Sequence, residues 1–270
     1  MPYPIPNYES EVAPQLQTGG AQCGHNQYWS PMLGAPLGVV GGAAAREYEF
    51  PSQVTIRGNS FGCGGSIIDA NWVLTAAHCC PSTNVSEYKI NYKIQLMQTL
   101  FDQTTNERGA ALVIPHPAYY EPYLRSDFCL IKVDSPFDFS NPNEAQPACL
   151  PTNCTMEKCD FGDDVLVAGL GRTANDGALG HTLLKAYINI MTHAVCTNTY
   201  GSYWQPEVNK QFCAWIENQG MAAICSGDSG GPLFCYKHGY FMLQGVTSFS
   251  SGNCEGIIDP KSSLLYLKFK

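Results

Sequence analysis

The sequence lacks any apolar run close to the ~18–20 residues of a membrane-spanning helix. It is also poor in charge. Only 14% of residues are charged, and Lys and Arg together number 15 against 23 Asp and Glu. The formal net charge of −8 argues against a role built on phosphate-backbone binding. Paired C-x-x-C blocks are missing, which weakens any structural-metal reading of the cysteines. The opening "MPYPIPNYESEVAPQLQ" has neither an apolar core nor a basic start. A secretory leader is therefore expected to lie outside the recorded chain.

What is present points to an oxidised, compact, strand-rich protein. With 270 residues and 44% hydrophobic content, the chain can bury a sizeable core. Glycine (26) and proline (18) suit many short strands and turns. Thirteen cysteines fit an oxidising compartment. Two sequons, at Asn84 and Asn153, agree with secretion but are common by chance.

Residues 1–38 are rich in Pro, Gly and Gln and carry no strand or helix period, so they read as a flexible prosegment. From Val39 onward short β-rich runs recur: "SQVTIRG", "GSIIDANWVLTAA", "YKIQLMQTL", "FCLIKV", "DVLVAGLG", "YFMLQGVTSF" and "LLYLKF". Such spacing predicts barrels or a sandwich. One helix is expected over 192–200, with Thr192 as its N-cap.

Three stretches carry chemistry: "NWVLTAAHCC" with His78, "RSDFCLIKV" with Asp127, and "ICSGDSGGPLFC" with Ser229. A lone His, an Asp before a strand or a Gly/Ser/Asp loop is each unremarkable by itself. The third stretch is harder to dismiss. Glycines on both sides of Ser229 leave room beside its hydroxyl and let backbone N–H groups converge, as an oxyanion hole requires. Serine is a weak nucleophile without a base, and a base needs a carboxylate to orient it.

Over residues 39–270 the chain resembles the chymotrypsin-like (trypsin-fold) serine proteases. The resemblance rests on "VVGG", "CGGSII", "WVLTAAHC", "HPAYY", "SDFCLI", "GDSGGPL" and "VTSFSSGNC", all in family order. It implies an all-β fold of two antiparallel six-stranded barrels with the active site between them. It implies His78 as general base, Asp127 as its orienting partner and Ser229 as nucleophile. Gly227 and Ser229 would supply oxyanion N–H groups, and Asp228 would pair with a freed α-amino group at Val39. Ser248 would sit beside Asp127 and line the cleft.

The expected activity is that of a secreted, monomeric serine endopeptidase working through an acyl-enzyme, without cofactor or metal. Its partners would be polypeptide substrates, an activating protease and protein inhibitors, not nucleic acid or membrane. The rival reading is a catalytically silent homologue that serves as an adaptor.

The specificity pocket departs from the trypsin pattern. The position six residues before the nucleophile is Ala223, followed by Ile224; Ser226, Ser248, Phe249 and Ser250 complete the expected wall. A cationic side chain would meet no counter-charge there, and desolvating it would be costly. If Tyr266 anchors the last strand, Leu264 reaches the pocket and small to medium apolar residues are preferred. If Pro260 is the anchor, Lys261 enters and an acidic residue is preferred. The Tyr266 alignment fits the strand pattern better.

The family closes with an amphipathic helix that this sequence, stopping at Lys270, does not show; either the record is truncated or the helix is lost. Glu87 and Asp102 alone do not make the calcium loop expected near 88–105.

The resemblance also implies disulfides Cys63–Cys79, Cys196–Cys213, Cys225–Cys254 and Cys23–Cys149, the last tethering the prosegment. Cys80 and Cys129 flank the catalytic His and Asp and form a candidate extra bridge. Cys154 and Cys159 form a candidate local bridge. Cys235 is then left over, because its family partner is Val165 here.

The presumed cut before Val39 follows Gly38, with no basic residue for a trypsin-type activator. "Pro-Leu-Gly" before Val resembles sites taken by matrix-type metalloproteases.

Overall fold

A computed structural model describes residues 43–93, 106–151, 159–160, 162–172, 180, 182–200, 210–215, 224–237, 240–250 and 264–268. Thirteen strands and one α-helix are assigned among them, with three one-turn 3₁₀ helices. No helix among the described residues is long and apolar enough to cross a membrane.

The first half of the chain forms a closed antiparallel barrel. Its strands are β2 (Gln53–Arg57), β3 (Gly62–Asp69), β4 (Trp72–Thr75), β5 (Lys89–Asn91), β6 (Glu107–Pro115) and β7 (Cys129–Val133). They close in the order β2-β3-β4-β7-β6-β5. Val54, Ile56, Ile67, Val73, Ile90 and Ile131 point inward and are buried. β-branched side chains fill such a pleated interior well.

The second half builds a seven-stranded antiparallel sheet from β1 (Ala43–Ala44), β8 (Asp164–Gly169), β9 (Leu184–Ile190), β10 (Gln211–Trp215), β11 (Pro232–Lys237), β12 (Tyr240–Ser250) and β13 (Leu264–Lys268). Its order is β1-β9-β10-β13-β12-β11-β8, and a further β8–β9 pairing brings the sheet back on itself. Helix α1 (His193–Tyr200) starts as the sequence predicts, with the Val195 N–H donating to Thr192 Oγ1 at 3.2 Å.

The two halves are joined by packing and by specific hydrogen bonds. Phe50, ahead of β2, stacks on Phe234 of β11 with ring centroids 5.9 Å apart. Gln53 Nε2 donates to the Ala168 carbonyl at 2.6 Å, linking β2 to β8. The Gly64 N–H of β3 donates to the Ser229 carbonyl at 2.7 Å.

Strand β9 was not evident from the sequence pattern. "LKAYINI" carries helix-forming residues and a lysine on a buried face. Lys185 is tolerated there because its ammonium pairs with the buried Glu49 carboxylate, whose other oxygen accepts the Arg46 N–H at 2.8 Å.

The cysteine framework agrees with the sequence reading in three bridges and corrects it in one. Cys63–Cys79, Cys80–Cys129 and Cys196–Cys213 are formed. Cys235, expected to be the odd thiol, is instead bridged to Cys159, with Cα atoms 5.6 Å apart. A local Cys154–Cys159 bridge is therefore excluded. Val165 does lie opposite Cys235 in the strand register. The sulfur partner comes from the segment ahead of β8, where the Cys159 N–H donates to buried Gln244 Oε1 at 2.8 Å and holds Cys159 against the sheet. Cys149 and Cys225 are also disulfide-bonded, to partners outside the described residues, where Cys23, Cys154 and Cys254 lie. All ten described cysteines are thus oxidised, so the odd member of the thirteen is among those three.

Two outcomes are expected. Thiol labelling of the denatured, unreduced chain with peptide mapping should modify one of Cys23, Cys154 and Cys254 and leave Cys235 unlabelled; a labelled Cys235 would contradict the bridge. Lys185→Met should cost about 3–5 kcal/mol in urea denaturation by stranding the Glu49 charge, and Lys185→Met with Glu49→Leu should recover most of it. Equal losses in the single and double variants would refute the pairing.

Candidate active site

His78 sits in a one-turn helix, Ala77–Cys79, directly after β4. Asp127 lies just ahead of β7 in a tight bend, where the Phe128 N–H donates to the Ser126 carbonyl at 2.8 Å. Since β4 and β7 are neighbours in the barrel, with Thr75 opposite Cys129, the sheet register delivers the two residues to one another.

Asp127 is fully buried and accepts three hydrogen bonds. Its Oδ1 takes the His78 backbone N–H at 2.8 Å. Its Oδ2 lies 2.7 Å from His78 Nδ1 and also accepts from Ser248 Oγ at 2.6 Å. An ionised carboxylate can only accept, so Nδ1 is the protonated ring nitrogen and Nε2 is left with its lone pair. Ser248 comes from β12, so both halves of the fold contribute to the carboxylate's environment.

Ser229 lies in the turn leading into β11. His78 and Ser229 face the same cleft of about 600 Å³, with no direct hydrogen bond between their side chains. The turn depends on two glycines at positive φ. Gly227 has φ 103°, and among the described residues neither its N–H nor that of Ser229 has a hydrogen-bond partner. Gly230 has φ 77°, and a Cβ there would come within 2.1 Å of Thr75 Oγ1 and 2.6 Å of the Gly64 carbonyl oxygen. A side chain at position 230 would push the Ser229 turn away from the first barrel.

Asp228, next to Ser229, is buried. Among the described residues its oxygens accept backbone N–H groups, from Gly171 at 2.7 Å and Cys225 at 3.0 Å. Burial pushes its carboxyl up to about 6, against the lowering effect of those two hydrogen bonds. Val39, its expected partner, lies outside the described residues, as do Ala223, Asn153, Pro260 and Lys261.

Ile224, Ser226, Ser248 and Phe249 line the cleft as expected, together with Cys225 and Thr247. Ser250 is placed by backbone only, opposite Leu264 of β13; Tyr266 lies opposite Thr247 and Phe212. The opposite wall, Tyr119 with Glu121, Pro122, Tyr123 and Leu124, was not anticipated. Its signal was the aromatic run "YYEPYL" just before Asp127. Burial, then the charges of Asp127 and Glu121, hold the Tyr119 hydroxyl protonated far above its ordinary range. Asn84 is exposed and caps a one-turn helix, Val85–Glu87.

Among the described residues, Cys63, His78 and Cys79 alone cluster closely enough to suggest a metal site. Their two sulfurs are bonded to each other and offer no thiolate.

Comparison with known proteins agrees with this geometry. The Trypsin family model matches residues 39–261. Chymotrypsin-like elastase family member 1 of Rattus norvegicus is 32% identical over 218 residues, covering 79% of this chain and 79% of the rat protein. Trypsin-2 of Salmo salar is 33% identical over 220 residues, covering 80% of this chain and 86% of the salmon protein. Serine proteinase stubble of Drosophila melanogaster is 30% identical over 239 residues, covering 83% of this chain and 29% of that protein.

The uncompensated Asp228 carboxyl makes stability depend on pH. It titrates near about 6 in the folded chain, and near ~4 when unfolded. The fold therefore holds its proton more tightly, so its contribution is full below about pH 4 and fades as pH rises through about 6. Urea denaturation of the 270-residue chain should show wild type losing roughly 2–3 kcal/mol relative to Asp228→Asn between pH 4 and 7. A difference that does not vary with pH would contradict a buried carboxyl lacking a counter-charge.

Proposed function

The chain belongs to the chymotrypsin-like, trypsin-fold serine proteases, and on that premise we propose that it is a secreted endopeptidase that cleaves after small to medium apolar residues through an acyl-enzyme. The observation that carries the proposal is the buried Asp127 carboxylate bonded to His78, with Ser229 on the same cleft. Ser229 Oγ attacks the scissile carbonyl while His78 Nε2 accepts its proton. Asp127 holds the ring in the required tautomer. The N–H groups of Gly227 and Ser229 receive the oxyanion. His78 then protonates the leaving amine, and water releases the acyl group by the same steps. The Ser229–His78 contact closes when substrate occupies the cleft, as such contacts commonly tighten on binding.

The apolar preference rests on Ile224 in the cleft wall and on the uncharged Ala223 at the sequence position where a trypsin carries an acidic residue. Trypsin and elastase names both occur among the relatives, so the pocket residues, not the names, decide. The pairing of Leu264 with Ser250 supports the Tyr266 alignment over one that brings Lys261 to the pocket.

Residues 1–38 act as a prosegment held through Cys23 and Cys149. Cleavage between Gly38 and Val39 frees an ammonium that pairs with Asp228, the buried carboxylate that otherwise has only backbone donors. The activating enzyme accepts glycine before an aliphatic residue. Asn84 and Asn153 carry glycans in the secreted protein.

Ser229→Ala and His78→Ala should each lower kcat by several orders of magnitude, with the double variant little worse, because the residues act as a unit. Near-additive losses would refute the assigned roles. In a peptide library, dominant cleavage after Arg or Lys would refute the pocket, and cleavage after Asp or Glu would bring Lys261 into it. The amino terminus of the active form should read Val-Val-Gly-Gly. Full activity in an uncut chain would overturn the activation step.

A further inference from the structure

The helix that presents His78 has little to hold it in place. It spans three residues, Ala77–Cys79, and its N-cap Ala76 offers no side-chain hydrogen bond. One turn of helix is not self-sustaining. Its position is set by two cystines on consecutive residues. Cys79 is bonded to Cys63 of β3, and Cys80 to Cys129, the first residue of β7.

The second bridge has a particular relation to the triad. Cys80 follows His78 by two residues, and Cys129 follows Asp127 by two. The cystine spans a sequence separation of 49, the same separation as the His78–Asp127 hydrogen bonds. Covalent bond and hydrogen bonds therefore close the same loop side by side. Both cysteines are buried. The Asp127 bend needs such support, because Ser126 ahead of it has φ 51°, in the left-handed region that L residues rarely adopt.

Resting on the catalytic reading of the site, we propose that the Cys80–Cys129 cystine is a positioning clamp for the His78–Asp127 pair. It fixes the depth at which Asp127 meets the His78 backbone and ring together. It also limits the drift of the imidazole away from Ser229. Displacements of about 1 Å in such a site can cost about 10²-fold in rate. The clamp therefore acts on kcat and leaves substrate affinity alone.

The test compares the full activated chain with C80A/C129A and with C159A/C235A, whose bridge does not line the cleft. C80V/C129A, which refills part of the lost volume with methyl groups, serves if the alanine pair folds poorly. Each is assayed for kcat and KM on the best library peptide, for Tm, and by proton NMR for the downfield His78 Nδ1–H resonance. The expected result is a ten- to hundredfold fall in kcat with KM within about twofold and a broadened or lost resonance in the Cys80/Cys129 variants. C159A/C235A should keep kcat and the resonance despite a lowered Tm. Unchanged kcat and resonance without the Cys80–Cys129 bridge would overturn the clamp. So would losses that simply follow Tm in all variants. If wild type cleaves no peptide, the catalytic reading fails, and the resonance alone then decides the clamp.

Discussion

Everything in this site depends on one buried carboxylate. Asp127 has no exposure to solvent, so its charge must be satisfied by protein donors. It finds them in the His78 backbone, the His78 ring and the Ser248 hydroxyl. The first two come from the first barrel and the third from β12 of the second sheet. Meeting the needs of that one group ties the halves of the molecule together and holds the His78 ring beside the cleft.

A second buried carboxylate, Asp228, is treated differently. Among the described residues it has two backbone donors, and burial pushes its carboxyl up to about 6. The contrast lies in the surroundings, not in residue type. Asp127 is surrounded by hydrogen-bonding partners from both halves of the fold. Asp228 lies where burial favours its protonated form. In the proposed activation, supplying one ammonium would change its preferred state. The adjoining turn, with Gly227 and Gly230 at positive φ, has the backbone freedom to respond.

The family was legible in the sequence because its motifs are local. "TAAHC", "SDFCLI" and "GDSGGPL" each pack a reactive side chain and the backbone geometry it needs into a few residues. Alternating strands such as "SQVTIRG" were legible for the same reason. What could not be read depends on pairings distant in sequence. Lys185 makes β9 look unlike a strand until Glu49, 136 residues earlier, supplies its counter-charge. Cys235 looked unpartnered because its cross-strand neighbour is Val165, whereas its sulfur reaches Cys159, which Gln244 holds in place. The cleft wall from Tyr119 to Leu124 takes its meaning from the fold, since nothing in "YYEPYL" alone says what it faces.

The central claim is that Ser229 becomes a nucleophile only when His78, Asp127 and the freed Val39 terminus act together. The most direct measurement is mass spectrometry of the chain treated with an aliphatic peptidyl phosphonate before and after cleavage at Gly38–Val39. The account predicts one stoichiometric adduct on Ser229 in the cleaved chain and little in the uncut one. A correctly cleaved chain that forms no adduct would contradict it and favour a silent homologue.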